Sequence, residues 1–166
     1  MGIFSKLFGK NEGKLNPNHL YAPMAGTVVS VSEVPDPAFS EGMLGDGIAI
    51  IPTDGTVCAP CDATVDMMFT TGHAVSLITE SGAEILIHVG LETVSLEGKP
   101  FTAKVASGDK VQKGQTLMVA DLEAIKAAGL NTITPMLVCN SADFSAFRKT
   151  TGIDATNADV VIEMSK

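Results

Sequence analysis

The 166-residue chain has no tryptophan, one tyrosine and three cysteines, and each shortage removes a class of protein. An odd, small set of cysteines is no disulfide framework, which separates the chain from small secreted scaffolds. No apolar run approaches the roughly 18–20 residues that a membrane-crossing helix needs. No secretory leader with a small-residue cleavage site is visible either, so a cytoplasmic protein is expected. Basic residues are scarce: 11 Lys and Arg stand against 19 Asp and Glu, a net charge of −8. The imbalance is uneven, since residues 1–15 carry Lys6, Lys10 and Lys14 against Glu12 alone. The rest of the chain is an acidic body that repels phosphate backbones. Nucleic acid is thereby excluded as a partner, and a basic protein surface is favoured.

What the chain does have is punctuation. Its 16 glycines and 8 prolines are spread between short apolar runs. Ten of these runs read as strands: "GTVVSV" (26–31), "GIAIIP" (47–52), "GTVCAP" (55–60), "ATVDMMF" (63–69), "HAVSLIT" (73–79), "AEILIHV" (83–89), "FTAKV" (101–105), "TLMVAD" (116–121), "TPMLVC" (134–139) and "DVVIEM" (159–164). Turn signals such as "TDG", "SG" and "QKG" separate them, the pattern of an all-β sandwich or barrel. Helix is expected only over "DLEAIKAAG" (121–129), with Gly129 as its C-cap, and for a turn or two in "SADFSAFRK" (141–149). "APMAGTV" (22–28) and "APCDATV" (59–65) echo each other and hint at a duplicated hairpin. The expectation is a single antiparallel β-sandwich or barrel-sandwich hybrid over residues 19–166, with one or two short helices. Residues 1–18 precede it as an amphipathic segment and linker. In "MGIFSKLFGK", Ile3, Phe4, Leu7 and Phe8 share a helical face opposite Lys6 and Lys10. That arrangement suits peripheral contact of residues 1–10 with an anionic membrane surface, or equally a tail without structure.

Two motifs invite chemistry and fail on geometry. Cys58-Ala-Pro-Cys61 has redox-pair spacing, yet its flanks read as turn-then-strand rather than the helix start that activates such a pair. In an extended chain, residues three apart lie about 10 Å from each other and face opposite ways, so the reading is two buried small side chains. "GDKVQKGQTLMVADLEAIKAAG" (108–129) is similar to a biotinyl attachment site, with Lys126 where the carrier lysine would stand. The stretch from Gly114 to Lys126 is too long for that hairpin tip, and "AAGLNT" continues a helix. The likeness reports a shared hairpin, and Lys126 as a biotinyl or lipoyl carrier is the weakest alternative.

Histidine is the remaining source of chemistry, and there are only three: His19, His73 and His88. His19 falls in the linker and reads as solvated. The other two bracket one hairpin, "HAVSLITESGAEILIHVG". A two-residue turn at Ser81-Gly82 would place His88 opposite Val75 and His73 one diagonal step away on the same face. On the second strand Ile85, Ile87 and Val89 form a core face, leaving Glu84, Leu86 and His88 on the other. A carbonyl at Gly90 could take the Nδ1 proton of His88 and leave Nε2 as a lone-pair nucleophile.

"GAEILIHVGLETV" (82–94) resembles the active-site segment of the glucose-family enzyme IIA of the sugar phosphotransferase system. Gly82, Ile85, Leu86, Ile87, His88, Val89, Gly90, Leu91, Thr93 and Val94 satisfy its pattern. "VPDPAFSEGMLGDGIAI" (34–50) and "TTGHAVSL" (70–77) resemble two further family segments, and the likeness runs from about Ala22 to Glu163. Cys58 and Cys61, where aliphatics are usual, and Gly72 before His73 depart from the pattern without touching the reactive atoms. The resemblance implies a phosphocarrier. His88 would accept a phosphoryl group from the phosphohistidine of a small carrier protein and pass it to a cysteine on the IIB domain of a sugar transporter. It implies that His73 stabilises the phosphoryl group, with Thr71 orienting His73 and Gly90 fixing the tautomer of His88. Asp36, Phe39, Met43, Leu44, Phe69, Leu86, Glu92 and Val94 match positions that ring the active histidine as a partner-docking rim, although Met43 and Leu44 also read as core. No metal, nucleotide or prosthetic group is required. Two histidines supply only two zinc ligands. A regulatory module that binds target proteins according to its phosphorylation state is the alternative from a different class.

Overall fold

The computed structural model describes residues 16–166, and the amphipathic start and most of the linker expected over residues 1–18 lie outside them. Fourteen strands in this region form three antiparallel sheets. The largest runs in the order β13 (Asp154–Ala155), β2 (Gly26–Ser30), β3 (Asp46–Pro52), β11 (Thr134–Val138), β7 (Glu84–His88), β6 (Ala74–Thr79), β5 (Ala63–Met68), β9 (Lys110–Val111). Two three-stranded sheets face its inner side: β4 (Thr56–Cys58), β10 (Thr116–Ala120), β8 (Phe101–Ala103), and β1 (His19–Tyr21), β14 (Val160–Ser165), β12 (Ala146–Lys149). Leu20, Ile48, Ile50, Leu77, Ile85, Ile87, Leu117, Met118, Met136 and Ile162 come from all three sheets and share one fully buried core. This is the expected β-sandwich, held by the period-2 alternation of its strands.

All ten strands read from the sequence are present, within a few residues of their expected ends. Four short ones are additional: β1, β9, β12 and β13. His19 therefore lies not in a linker but in β1, opposite Glu163. The helix expected in 141–149 is replaced by a single 3₁₀ turn, Ser141–Asp143, followed by β12 pairing with β14. The helix expected at 121–129 forms as α2 (Leu122–Ala127). Asp121 accepts the Ala124 N–H at its start. At its end, Leu130 N–H bonds to Ile125 O and Gly129 N–H to Lys126 O, a Schellman stop.

The central strands explain where the site can be. In β3 and β11 both faces are buried. Their inward side chains enter the main core. Ala49 and Leu137 instead pack outward against Val31, Val34, Phe39, Leu91 and Ile133. This second, smaller cluster is covered by residues 31–40, including α1 (Pro37–Ser40), whose N-cap Asp36 accepts the Ala38 N–H at 3.0 Å. The outer face of β7 lies next to this cover.

The echoed "AP" segments meet across a seam. Tyr21 N–H donates to Pro60 O at 2.9 Å and Cys58 N–H donates to Pro23 O at 2.8 Å, so each half repeats the other's bond. Asn157 Nδ2 donates to the matching carbonyls of both, Ala22 O at 2.8 Å and Ala59 O at 3.3 Å. Among the described residues no helix is long and apolar enough to cross a membrane.

Candidate functional site

β7 carries Ile85 and Ile87 into the core, with Val89 just beyond its end, and turns Leu86 and His88 outward, as alternation demands. The register differs from the expected one. The hairpin closes through a three-residue loop, Glu80–Gly82, and His88 pairs with Ala74, not Val75. Thr79 causes this. Its carbonyl takes the Gly82 N–H, its N–H reaches Ala83 O, and its hydroxyl accepts the Ala83 N–H at 2.9 Å. A two-residue turn would forgo that hydroxyl bond.

His73 still meets His88, by another route. It precedes β6 and follows a tight turn in which Gly72, at φ 74°, bonds back to Phe69 O at 2.7 Å. The His73 carbonyl accepts the Val89 N–H at 2.8 Å. Its ring packs against that of His88, with centroids 5.0 Å apart and planes 80° apart. Phe69 packs edge-on to His73 at 5.4 Å, Phe101 lies 6.5 Å away, and Phe39 tilts over His88 at 5.3 Å.

Hydrogen bonds fix both rings. His88 Nδ1 donates to Gly90 O at 2.8 Å, and His73 Nδ1 is engaged by the Thr71 hydroxyl. Burial, and then the neighbouring His88, pushes His73 down to about 4. Burial lowers His88 too, opposed by the Gly90 carbonyl and by the charge of Asp36. Both imidazoles are therefore neutral near pH 7. An imidazole whose Nδ1 proton is held by a carbonyl offers the Nε2 lone pair. Among the described residues no group of three or more His, Cys, Asp or Glu side chains is placed to hold a metal.

The phosphoenolpyruvate-dependent sugar phosphotransferase system family EIIA 1 matches residues 18–144. The chain belongs to that family. A glucose-specific EIIA component of Bacillus anthracis is 42% identical over 160 residues, 96% of each chain. A glucose-specific EIICBA component of Streptococcus pneumoniae is 43% identical over 147 residues, covering 87% of this chain and 20% of that one. The glucose permease IIA from Mycoplasma capricolum superposes with a TM-score of 0.78 at 34% identity, over 87% of this chain and 93% of that one. This EIIA is a phosphocarrier of the phosphoenolpyruvate-dependent sugar phosphotransferase system.

The rim of this EIIA's site is less uniform than expected. Met43 and Val94 are 72% and 52% exposed and Leu44 is 40% exposed, so the core reading of Met43 and Leu44 fails. Phe69 and Leu86 are half-buried, Asp36 is half-buried and Glu92 is exposed. Phe39 is the correction in the other direction: it is buried in the second cluster and forms a wall beside His88 rather than an exposed rim. Phe101 went unanticipated because it reaches His73 from a distant strand with no local motif. Lys126 sits on α2, exposed and 3.6 Å from Glu123, not on a hairpin tip.

Proposed function

We propose that His88 Nε2 accepts the phosphoryl group from the phosphohistidine of a small carrier protein and delivers it to a cysteine on the IIB domain of a sugar transporter. In the first transfer the donor's N–P bond breaks as a new N–P bond forms at Nε2, while the proton stays on Nδ1, hydrogen-bonded to the Gly90 carbonyl. Such transfer asks a protein mainly for an in-line nucleophile and for stabilisation of the equatorial oxygens. His73, its Nδ1 occupied by Thr71, turns its other nitrogen to the phosphoryl oxygens as a donor. The observation that carries this reading is the pair of imidazoles in ring contact, His73 buried and His88 half-buried, the latter with Nδ1 committed to a backbone carbonyl.

Residues 19–166 act as the IIA domain. Met43, Leu44, Phe69, Leu86 and Val94 form the apolar docking surface for both partners, with Phe39 supporting it from below. Asp36 and Glu92 attract basic partners and speed encounter. The EIICBA arrangement named for the Streptococcus pneumoniae relative supports a IIB acceptor, and the relatives' names support glucose as the sugar served. The test incubates the protein with phosphoenolpyruvate and the upstream components. An acid-labile phosphoryl group appears on the wild type and none on His88→Gln; labelling of His88→Gln, or of a different side chain, rejects the assignment.

A further inference from the structure

Thr93 belongs to the segment that carries His88, yet no role in the transfer has been given to it. Its side chain is fully buried, and its hydroxyl donates to the carbonyl of Val89. The same Val89 peptide segment is bound on its other side, where its N–H meets the His73 carbonyl. Between Val89 and Thr93 the chain turns sharply, with Gly90 at φ 74° and Glu92 at φ 59°. The turn is packed tightly: a Cβ at Gly90 would sit 2.6 Å from Thr93 Cγ2 and 2.9 Å from Asn131 O. Asn131 O also takes the Leu91 N–H at 3.0 Å, and Asn131 Oδ1 takes the Ile133 N–H at 2.8 Å, so the wall behind the turn is itself held.

We infer that Thr93 is a positioning residue: its hydroxyl closes the Val89–Thr93 turn and thereby aims the Gly90 carbonyl at His88 Nδ1, keeping Nε2 unprotonated for attack. The inference rests on the phosphoryl-acceptor role of His88, but its primary reading does not require phosphate. Without the hydroxyl, the Val89 carbonyl loses its side-chain partner, and the Gly90 carbonyl is free to rotate away from the ring. His88 then exchanges between tautomers, and the fraction with a bare Nε2 falls.

The experiment records long-range ¹H–¹⁵N spectra of the unphosphorylated protein and, separately, the rate of phosphoryl acceptance. Wild type shows a single His88 tautomer with the proton on Nδ1. Thr93→Val, which keeps the shape and removes the hydroxyl, shows mixed tautomers, and kcat falls by roughly tenfold or more, the scale on which a displaced catalytic group acts. KM for the phosphorylated donor is unchanged, because the docking rim is untouched. Thr93→Ser restores both readings. Should Thr93→Val not fold, Thr93→Ala is read in its place. A hydroxyl-free variant with the wild-type tautomer and rate overturns the inference, as does a wild-type His88 of mixed tautomers. If the tautomers behave as described while His88 takes no phosphate, the positioning role stands and the transfer assignment falls.

Discussion

Two regions of this EIIA each set a buried potential nucleophile beside a half-buried one, His73 with His88 and Cys61 with Cys58, so that only one of the two cysteines is buried as expected. The same physical force acts on the two regions with opposite results. At the outer face of the large sheet, burial pushes His73 down to about 4 and lowers His88 as well. At the seam, burial raises Cys58 and pushes Cys61 up to about 12, with Asp54 and Asp62 adding to the effect. Burial disfavours whichever form is charged. For imidazole the surviving neutral form is the nucleophile. For a thiol the charged form is the nucleophile, so its loss silences the group. Desolvation therefore arms one site and disarms the other, and a pair of cysteines at redox-motif spacing ends as packing.

The sharpest way to break this comparison is at His88. His88→Gln removes the lone pair and should abolish acid-labile labelling entirely, as read by radiolabelled phosphoenolpyruvate in the complete system. His73→Gln comes next. Labelling should persist, while delivery to the IIB cysteine slows by roughly 10²-fold, the usual cost of one oriented donor at a reacting anion; delivery at the wild-type rate would remove His73 from the mechanism. The pH dependence gives a third test. The unfolded histidine binds a proton below about 6.5, whereas folded His73 does so only near 4. Between these values the unfolded state holds more protons, so stability falls as pH drops through that window and the His73 contribution levels off below it. Denaturant titrations at pH 7 and 4.5 should show a smaller loss in His73→Gln than in wild type. The smallest effect belongs to the seam. Cys61→Ala should cost about 1–2 kcal/mol through lost packing and leave the transfer rate unchanged, and a reduced rate would end the view that these thiols are inert.

The strands with clean alternation were legible because one face of each is core and the period of two leaves no ambiguity. The four unforeseen strands are two to four residues long, and their pairing is imposed by neighbours; β12 becomes a strand because β14 presents an edge, against the helical pattern of "SADFSAFRK". The hairpin register was off by one because the hydroxyl of Thr79, not the Ser81-Gly82 pair, selects the loop. His88, Gly90 and Thr71 were within reach of sequence reasoning, being tied to short segments. The convergence of His73 was foreseen for a diagonal that the ladder does not make; the turn at Gly72 brings the rings together instead. Phe39 belongs to the expected rim by resemblance alone, since a lone apolar residue outside any expected strand or helix gives no sign of which side is covered. Its burial depends on Ala49 and Leu137, outward residues of strands distant in sequence.

His88 stands at the end of a central strand with the rings of Phe39 and His73 against it, which narrows the directions from which a partner reaches Nε2. In the proposed relay, donor and acceptor both need that nitrogen and cannot hold it together. Each round of relay must then consist of two separate visits, and the carrier's throughput is set by how quickly the first visitor departs as much as by the chemistry between them.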